Sequence, residues 1–230
     1  MEEIWDGSVE AFRLIFSLDP EVRQIAWRAF AISASATALA SLFCVPLGGL
    51  ISFRTFKGKR LLVNVTQTFY SLPTVVVGLF VFLLLSRAGP LGGLGFLFTP
   101  AAIVIGEMIL ITPILLGLTF SALSGVDRSV RDTALSLGAS ERQAIWTIVK
   151  EARFAIGAAV IMGFGRAISE VGIAMMVGGN IRGFTRTLTT AIALETQKGE
   201  IELAIALGII LVTVALVISV IVNIALQRYT

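Results

Sequence analysis

The sequence contains no histidine and a single cysteine, Cys44, set inside an apolar run. Without histidine, the commonest general base and the commonest transition-metal ligand are both missing. That argues against a membrane hydrolase or metalloprotease, and no metal site is expected. One cysteine can neither close an intrachain disulfide nor build a thiolate cluster. No G-x-x-x-x-G-K-[ST] run is present, so phosphoryl chemistry is not expected of this chain and no cofactor is expected to bind it. Charge is scarce too. Only 14% of the 230 residues are Asp, Glu, Lys or Arg against 56% hydrophobic, with a mean hydropathy of +0.92. That balance excludes an ordinary soluble domain and makes the bilayer the expected solvent. The net charge of +3 is spread over short segments between apolar runs, so it reads as an orientation signal, and nucleic acid is not an expected partner. The acidic start MEEIWDGSVEAF lacks the basic region of a cleavable signal peptide.

What is present is length without charge. A spanning helix needs about 20 mostly apolar residues, and five stretches qualify, near 27–52, 62–86, 100–124, 155–178 and 202–226. Ahead of them, Ile4 to Leu18 mixes apolar residues with charges and predicts an interfacial helix. Asp19-Pro20 then supplies an N-cap and a residue pre-set for the first helical position. The links after the first and third spans carry Arg54, Lys57, Lys59 and Arg60, then Arg128, Arg131, Arg142, Lys150 and Arg153, and both are expected on the cytoplasmic side. The N-terminus is then outside and the C-terminus inside. Ser33, Thr37 and Ser41, and Gly157, Gly165, Ala167 and Gly172, predict close helix packing. No pair of interrupted helices and no internal repeat is read from the sequence. The run Gly89 to Phe96 lacks the lysine of a phosphate loop and reads as an outer loop.

The link between the third and fourth spans is polar and patterned as helix, turn, helix. Asp127 can cap a short helix with Val130, Ala134 and Leu137 on one face, and Gly138 offers the left-handed conformation that ends it. Ser140 and Gln143 form a capping-box pattern, after which Ala144, Ile145, Ile148, Val149 and Ala152 continue an apolar stripe. A short exposed helix held between two membrane helices suits docking into a groove of another protein.

This loop resembles that of the membrane subunits of binding-protein-dependent ABC importers, which reads Glu-Ala-Ala, three residues, Gly, nine residues, Ile, one residue, Leu-Pro. Here Asp132-Thr133-Ala134 precedes Gly138 at that spacing and Ile148 falls ten positions beyond it, while Lys150-Glu151 stand in place of Leu-Pro. DPEVRQIAWRAFAIS, QTFYSLPTVVVGLFVFLLLSRAGPLGGLGFLFTP and RAISEVGIAMMVGGNIRGFTRTLTTAIALETQKGE are similar to the tungstate-type permeases of the molybdate and tungstate group, so the likeness covers nearly the whole chain. The resemblance implies an all-α polytopic bundle of about five transmembrane helices with the type I ABC importer permease fold, in one domain spanning 1–230 with a coupling loop at about 125–153. It further implies a homodimer in the lipid bilayer, two ABC ATPase subunits carrying ATP and Mg on the cytoplasmic side, and an external binding protein that delivers the oxyanion. The coupling helix falls at about Ser129 to Leu137. The ATPase-facing loop comprises Val130, Arg131, Asp132, Thr133, Ala134, Leu135, Ser136, Leu137, Gly138 and Ala139. No C-terminal regulatory domain is expected after Thr230.

Glu107, Arg166 and Glu170 lie inside apolar runs and should face protein or water. Arg166 and Glu170 are four apart and can pair, or Arg166 can belong to an anion route. Glu107 would repel an anion and reads as a packing or gating contact. The outer segment holding Asn180, Arg182, Thr185, Arg186, Thr187, Thr189 and Thr190 offers amides, hydroxyls and guanidiniums suited to a tetrahedral oxyanion. It reads equally as a re-entrant or surface loop that docks the binding protein. Tungstate is the favoured substrate and molybdate or sulfate the alternative; an ion-driven secondary transporter or a membrane scaffold are readings from other classes.

Overall fold

The computed structural model of the chain describes residues 19–227, together with Trp5, Val9 and Arg13. The expected interfacial helix over Ile4 to Leu18 thus falls outside the described residues but for those three. Among the described residues the fold is all helix, without a strand.

Helix α1 (Pro20–Phe53) starts where Asp19 accepts hydrogen bonds from the amides of Glu21 (2.9 Å) and Val22 (3.0 Å), with Pro20 at the first helical position. At 1.5 Å per residue it is about 51 Å long, more than the hydrocarbon requires. Ser33, Ala36, Thr37, Ala40, Cys44 and Gly48 form its buried seam and face α4 (Pro100–Ser124). In lipid, apolar side chains gain little by meeting each other rather than acyl tails, so small residues that let backbones approach decide which faces pair. At Gly48 a Cβ would stand 2.9 Å from Thr119 Cγ2, and at Gly163 a Cβ would stand 2.9 Å from Leu115 Cδ2. Gly163 therefore packs closely, whereas a Cβ at Gly165 would meet nothing within 4 Å.

Helix α4 is the axis of the bundle, contacting α1, α2 (Lys59–Thr68), α3 (Thr74–Leu85), α7 (Arg153–Ile168) and α8 (Gly172–Gly178). Between α4 and α7 lie the short helices α5 (Arg128–Ser136) and α6 (Glu141–Glu151); α9 (Leu188–Lys198) and α10 (Ile201–Gln227) follow α8 and pack on each other. Three helices, α1, α4 and α10, are long and apolar enough to cross a membrane, or up to five spans if each of two bent pairs is one.

Those pairs correct the expectation of uninterrupted spans. The second span bends by 98° between the 3-10 turn Phe69–Ser71 and α3, and the fourth by 58° between α7 and α8. The first break has a local cause: Pro73 forces Leu72 out of the helical region, to φ −56 and ψ 128. The second contains no proline. There Glu170 turns its carboxylate onto the Ile173 amide (3.2 Å) and starts a new helix instead of continuing the old one. The loop between α3 and α4 is fastened by Phe98, in the left-handed region at φ 62, whose amide donates to the Val177 carbonyl (2.8 Å).

Candidate functional site

Three polar places interrupt this apolar frame. In the insert between α4 and α7, Asp127 caps α5 by accepting from the Ser129 amide (2.7 Å), and that amide holds its carboxyl below the ordinary Asp range. The helix ends as the sequence predicts, with Gly138 at φ +85. Its amide donates to the Leu135 carbonyl (2.9 Å) and the Ala139 amide to the Ala134 carbonyl (3.0 Å), the paired bonds of a Schellman ending. The capping box forms as expected, with the Ser140 amide on Gln143 Oε1 (2.7 Å) and the Gln143 amide on Ser140 Oγ (3.4 Å). Arg131 reaches across the turn to Glu141 (2.7 Å) and ties the two helices together.

One expectation for this loop changes. Val130 and Ala134 are half-buried, but Leu137 is 83% exposed because α5 stops at Ser136 and the cap residue swings off the stripe. Arg131, Asp132, Thr133, Ser136 and Gly138 are exposed, and Leu135 and Ala139 half-buried. α6 turns Ala144 and Ile148 inward, where Ile148 packs with Leu123 and Ala152 against Phe53 and Val126. The insert is thus seated on the helix ends and leaves a bare leucine exposed.

In mid-bundle the two broken spans meet. A Cβ at Gly172, in the first turn of α8, would lie 3.2 Å from Thr74 Oγ1 at the start of α3 and 3.3 Å from Glu170 Oε1. One turn along, Gly78 of α3 approaches the Ile173 backbone, and a Cβ at Gly106 of α4 would collide with the Ile173 side chain. Glu170 organises the junction. Its Oε2 accepts from Arg166 Nη1 (2.8 Å), its Oε1 from the Ile173 amide, and its carbonyl from Thr189 Oγ1 (2.8 Å). The structural pairing of Arg166 with Glu170 is present, with the glutamate side chain 3% exposed and the arginine 33%. Glu107 lies in the same region, near the Ser33 hydroxyl and within electrostatic reach of Glu170, yet its Oε2 has no partner.

Between α8 and α9, residues 179–187 form a turn whose hydroxyls bond within the chain. Thr185 donates to the Gly178 carbonyl (2.6 Å) and accepts from the Ile181 amide (2.9 Å), while Thr187 and Thr190 form the capping box of α9. Thr185, Thr187, Thr189 and Thr190 are all buried. Asn180 accepts from Arg186 Nε (3.2 Å) and donates to the Thr190 carbonyl (3.3 Å). The threonines therefore stand as framework, and the guanidiniums of Arg182 and Arg186 are the groups that face space. They line a cleft of about 460 Å³ with Asp19, Glu21, Glu195 and Lys198. Glu21 pairs with Arg182, whose guanidinium its carboxylate holds more firmly charged than usual. Sequence reading missed Arg28, which donates from α1 to the carbonyls of Gly183 and Arg186 (2.9 Å each) and fastens the turn. Its only signal was a charge inside the apolar run Ile25 to Ile32.

Residues 44–230 match the family described as binding-protein-dependent transport system inner membrane components. The chain is 40% identical over 219 residues to the tungstate uptake system permease protein TupB of Peptoclostridium acidaminophilum, covering 95% of this chain and 96% of that protein. It is 44% identical over 190 residues to a probable anion ABC transporter permease of Haloferax volcanii, covering 80% and 82%. The fold is shared with a chain of the MetNI methionine ABC transporter in an inward-facing conformation, at a TM-score of 0.65 and 16% identity, covering 91% and 94%.

Proposed function

From the fact that the chain belongs to the family of binding-protein-dependent transport system inner membrane components, we propose that it is the membrane-spanning permease of an ATP-driven oxyanion importer, with tungstate as the favoured substrate. The observation that carries the reading is the likeness to a tungstate permease over 95% of the chain. The insert supports it, because a capped helix with an 83%-exposed leucine at its tip is shaped to enter a groove of a soluble partner.

In this reading the permease is a homodimer spanning the cell membrane, with N-terminus outside and C-terminus inside. Each copy rests α5 in one ABC ATPase subunit, which binds ATP and Mg and performs the hydrolysis; this chain hydrolyses nothing. ATP binding draws the ATPase pair together, the coupling helices follow, and the spans rock from inward-open to outward-open. Such coupling requires that the nucleotide and the loaded binding protein each prefer one of the two states. The re-entrant turn with Arg182 and Arg186 faces the binding protein and the arriving anion. Affinity and choice of oxyanion belong to the binding protein, since a path must release what it takes up.

The test is purification from native membranes in mild detergent, identification of what co-purifies, and assay of ATP hydrolysis with binding protein plus tungstate, molybdate or sulfate. The expected result is a co-purifying phosphate-loop ATPase stimulated best by tungstate. Two broken spans and a buried carboxyl also suit an ion-coupled carrier. Uptake driven by an ion gradient, with no ATPase attached, would favour that second reading.

A further inference from the structure

Glu107 is 2% exposed, and one of its carboxyl oxygens has no hydrogen-bond partner. The groups that face it can be taken element by element. From α1 comes the Ser33 hydroxyl, and from the break after α7 comes Glu170. Arg166 of α7 is bonded to Glu170. Helices α3 and α8 hold no ionisable residue, and the chain has no histidine. Arg166 thus serves Glu170, and Glu107 lies next to the close approach of Gly106 and Ile173 with no basic side chain paired to it among the described residues. An uncompensated charge of this kind in a membrane interior is costly.

We propose that Glu107 is a binding site for a monovalent cation, a proton or a sodium ion, seated between its unpartnered oxygen, Ser33 and Glu170. With the cation in place the junction is neutral, and α4 closes onto α1 and onto the break before α8. With the cation gone, two negative charges oppose each other beside the cap of α8, and the junction loosens. The site lies inside one chain and takes a cation, so it is separate from any route for the transported anion. It also stands whether or not that anion is tungstate.

Protein in nanodiscs of neutral lipid is titrated from alkaline to acid pH in sodium chloride or in choline chloride at equal ionic strength. Thermal unfolding and the infrared band of protonated carboxyl groups are followed together. A ligand that binds only the folded state raises the unfolding temperature with its concentration. For a proton, the unfolding temperature rises on acidification in choline and a carboxylic band grows with it; for sodium, it rises with sodium chloride at alkaline pH with no such band. Glu107→Gln, already neutral, is expected to stay at the cation-bound level throughout. Glu107→Asp, with a shorter reach, is expected to need about tenfold more cation, equivalent to about one pH unit. Wild-type protein indifferent to both ions overturns the proposal, as does either variant responding with the wild-type half-point. The readout needs no uptake, so a failure here leaves the oxyanion reading untouched, and the reverse.

Discussion

The insert between α4 and α7 and the mid-bundle junction are both polar interruptions of an apolar chain, and they are built in opposite ways. In the insert the capping devices are local: Asp127 on Ser129, Ser140 on Gln143, Gly138 on Leu135. Water satisfies whatever polar groups are left over, and Leu137 and Trp146 stand exposed at 83% and 60%. In the junction, groups from α1, α4, α7, α8 and α9 must satisfy one another, because lipid offers no hydrogen bonds. One glutamate, Glu170, carries three bonds there. The difference teaches that a polar residue outside the membrane is free to serve a partner, whereas one inside is first committed to the fold.

The comparison can be broken most severely at Glu170. Removing its carboxylate in Glu170→Ala uncaps α8 and strands Arg166, and breaking a buried pair of this sort costs about 3–5 kcal/mol. Most of the protein is expected to be lost from detergent extracts, whereas Glu170→Gln retains the cap and recovers part of the yield. Recovery of Glu170→Ala at wild-type yield would contradict the central role given to this residue. A smaller effect is expected from Gly106→Ala, where the new methyl meets Ile173; overpacking costs about 1–3 kcal/mol and should appear as a lowered unfolding temperature.

Gly138→Val sharpens the contrast, since a Cβ there would meet nothing within 4 Å and only the left-handed backbone resists it, at about 1–2 kcal/mol. The permease should reach the membrane normally yet hold its ATPase less well, and normal complex yield with normal uptake would refute the assignment of that turn. Least affected is the cap at Asp127. Its carboxyl is held below the ordinary range by the Ser129 amide. The sign follows: a lowered folded-state pKa contributes above the unfolded value, about 3.9, and is lost as pH falls through the folded one. Hydrogen exchange at Ser129 should therefore be unaffected by the cap's titration at neutral pH and faster only in strong acid, and Asp127→Asn should abolish that acid step.

Much of the insert was legible because its signals lie within four residues of their targets. Asp19-Pro20, Ser140 with Gln143 and the Arg166–Glu170 spacing behave as read. The breaks were harder. Pro73 announced the first and was passed over in favour of an unbroken apolar count, whereas the second rests on a side chain bonding forward to Ile173, which hydropathy cannot register. The oxyanion-like threonines looked like ligands because their chemistry fits, but burial turned their hydroxyls onto the chain's own carbonyls and amides.

The sequence by itself determined the solvent, the helices and their caps, since hydropathy, periodicity and capping act over one or two turns. Only the tertiary structure decided which polar groups share a site. Arg28 meets the carbonyl of Arg186 across a separation of 158 residues, and Glu107 stands beside Glu170 because Gly106 lets α4 touch Ile173. In lipid, where burial of apolar surface hardly discriminates one helix face from another, such close contacts and the need to satisfy every buried polar atom choose the arrangement.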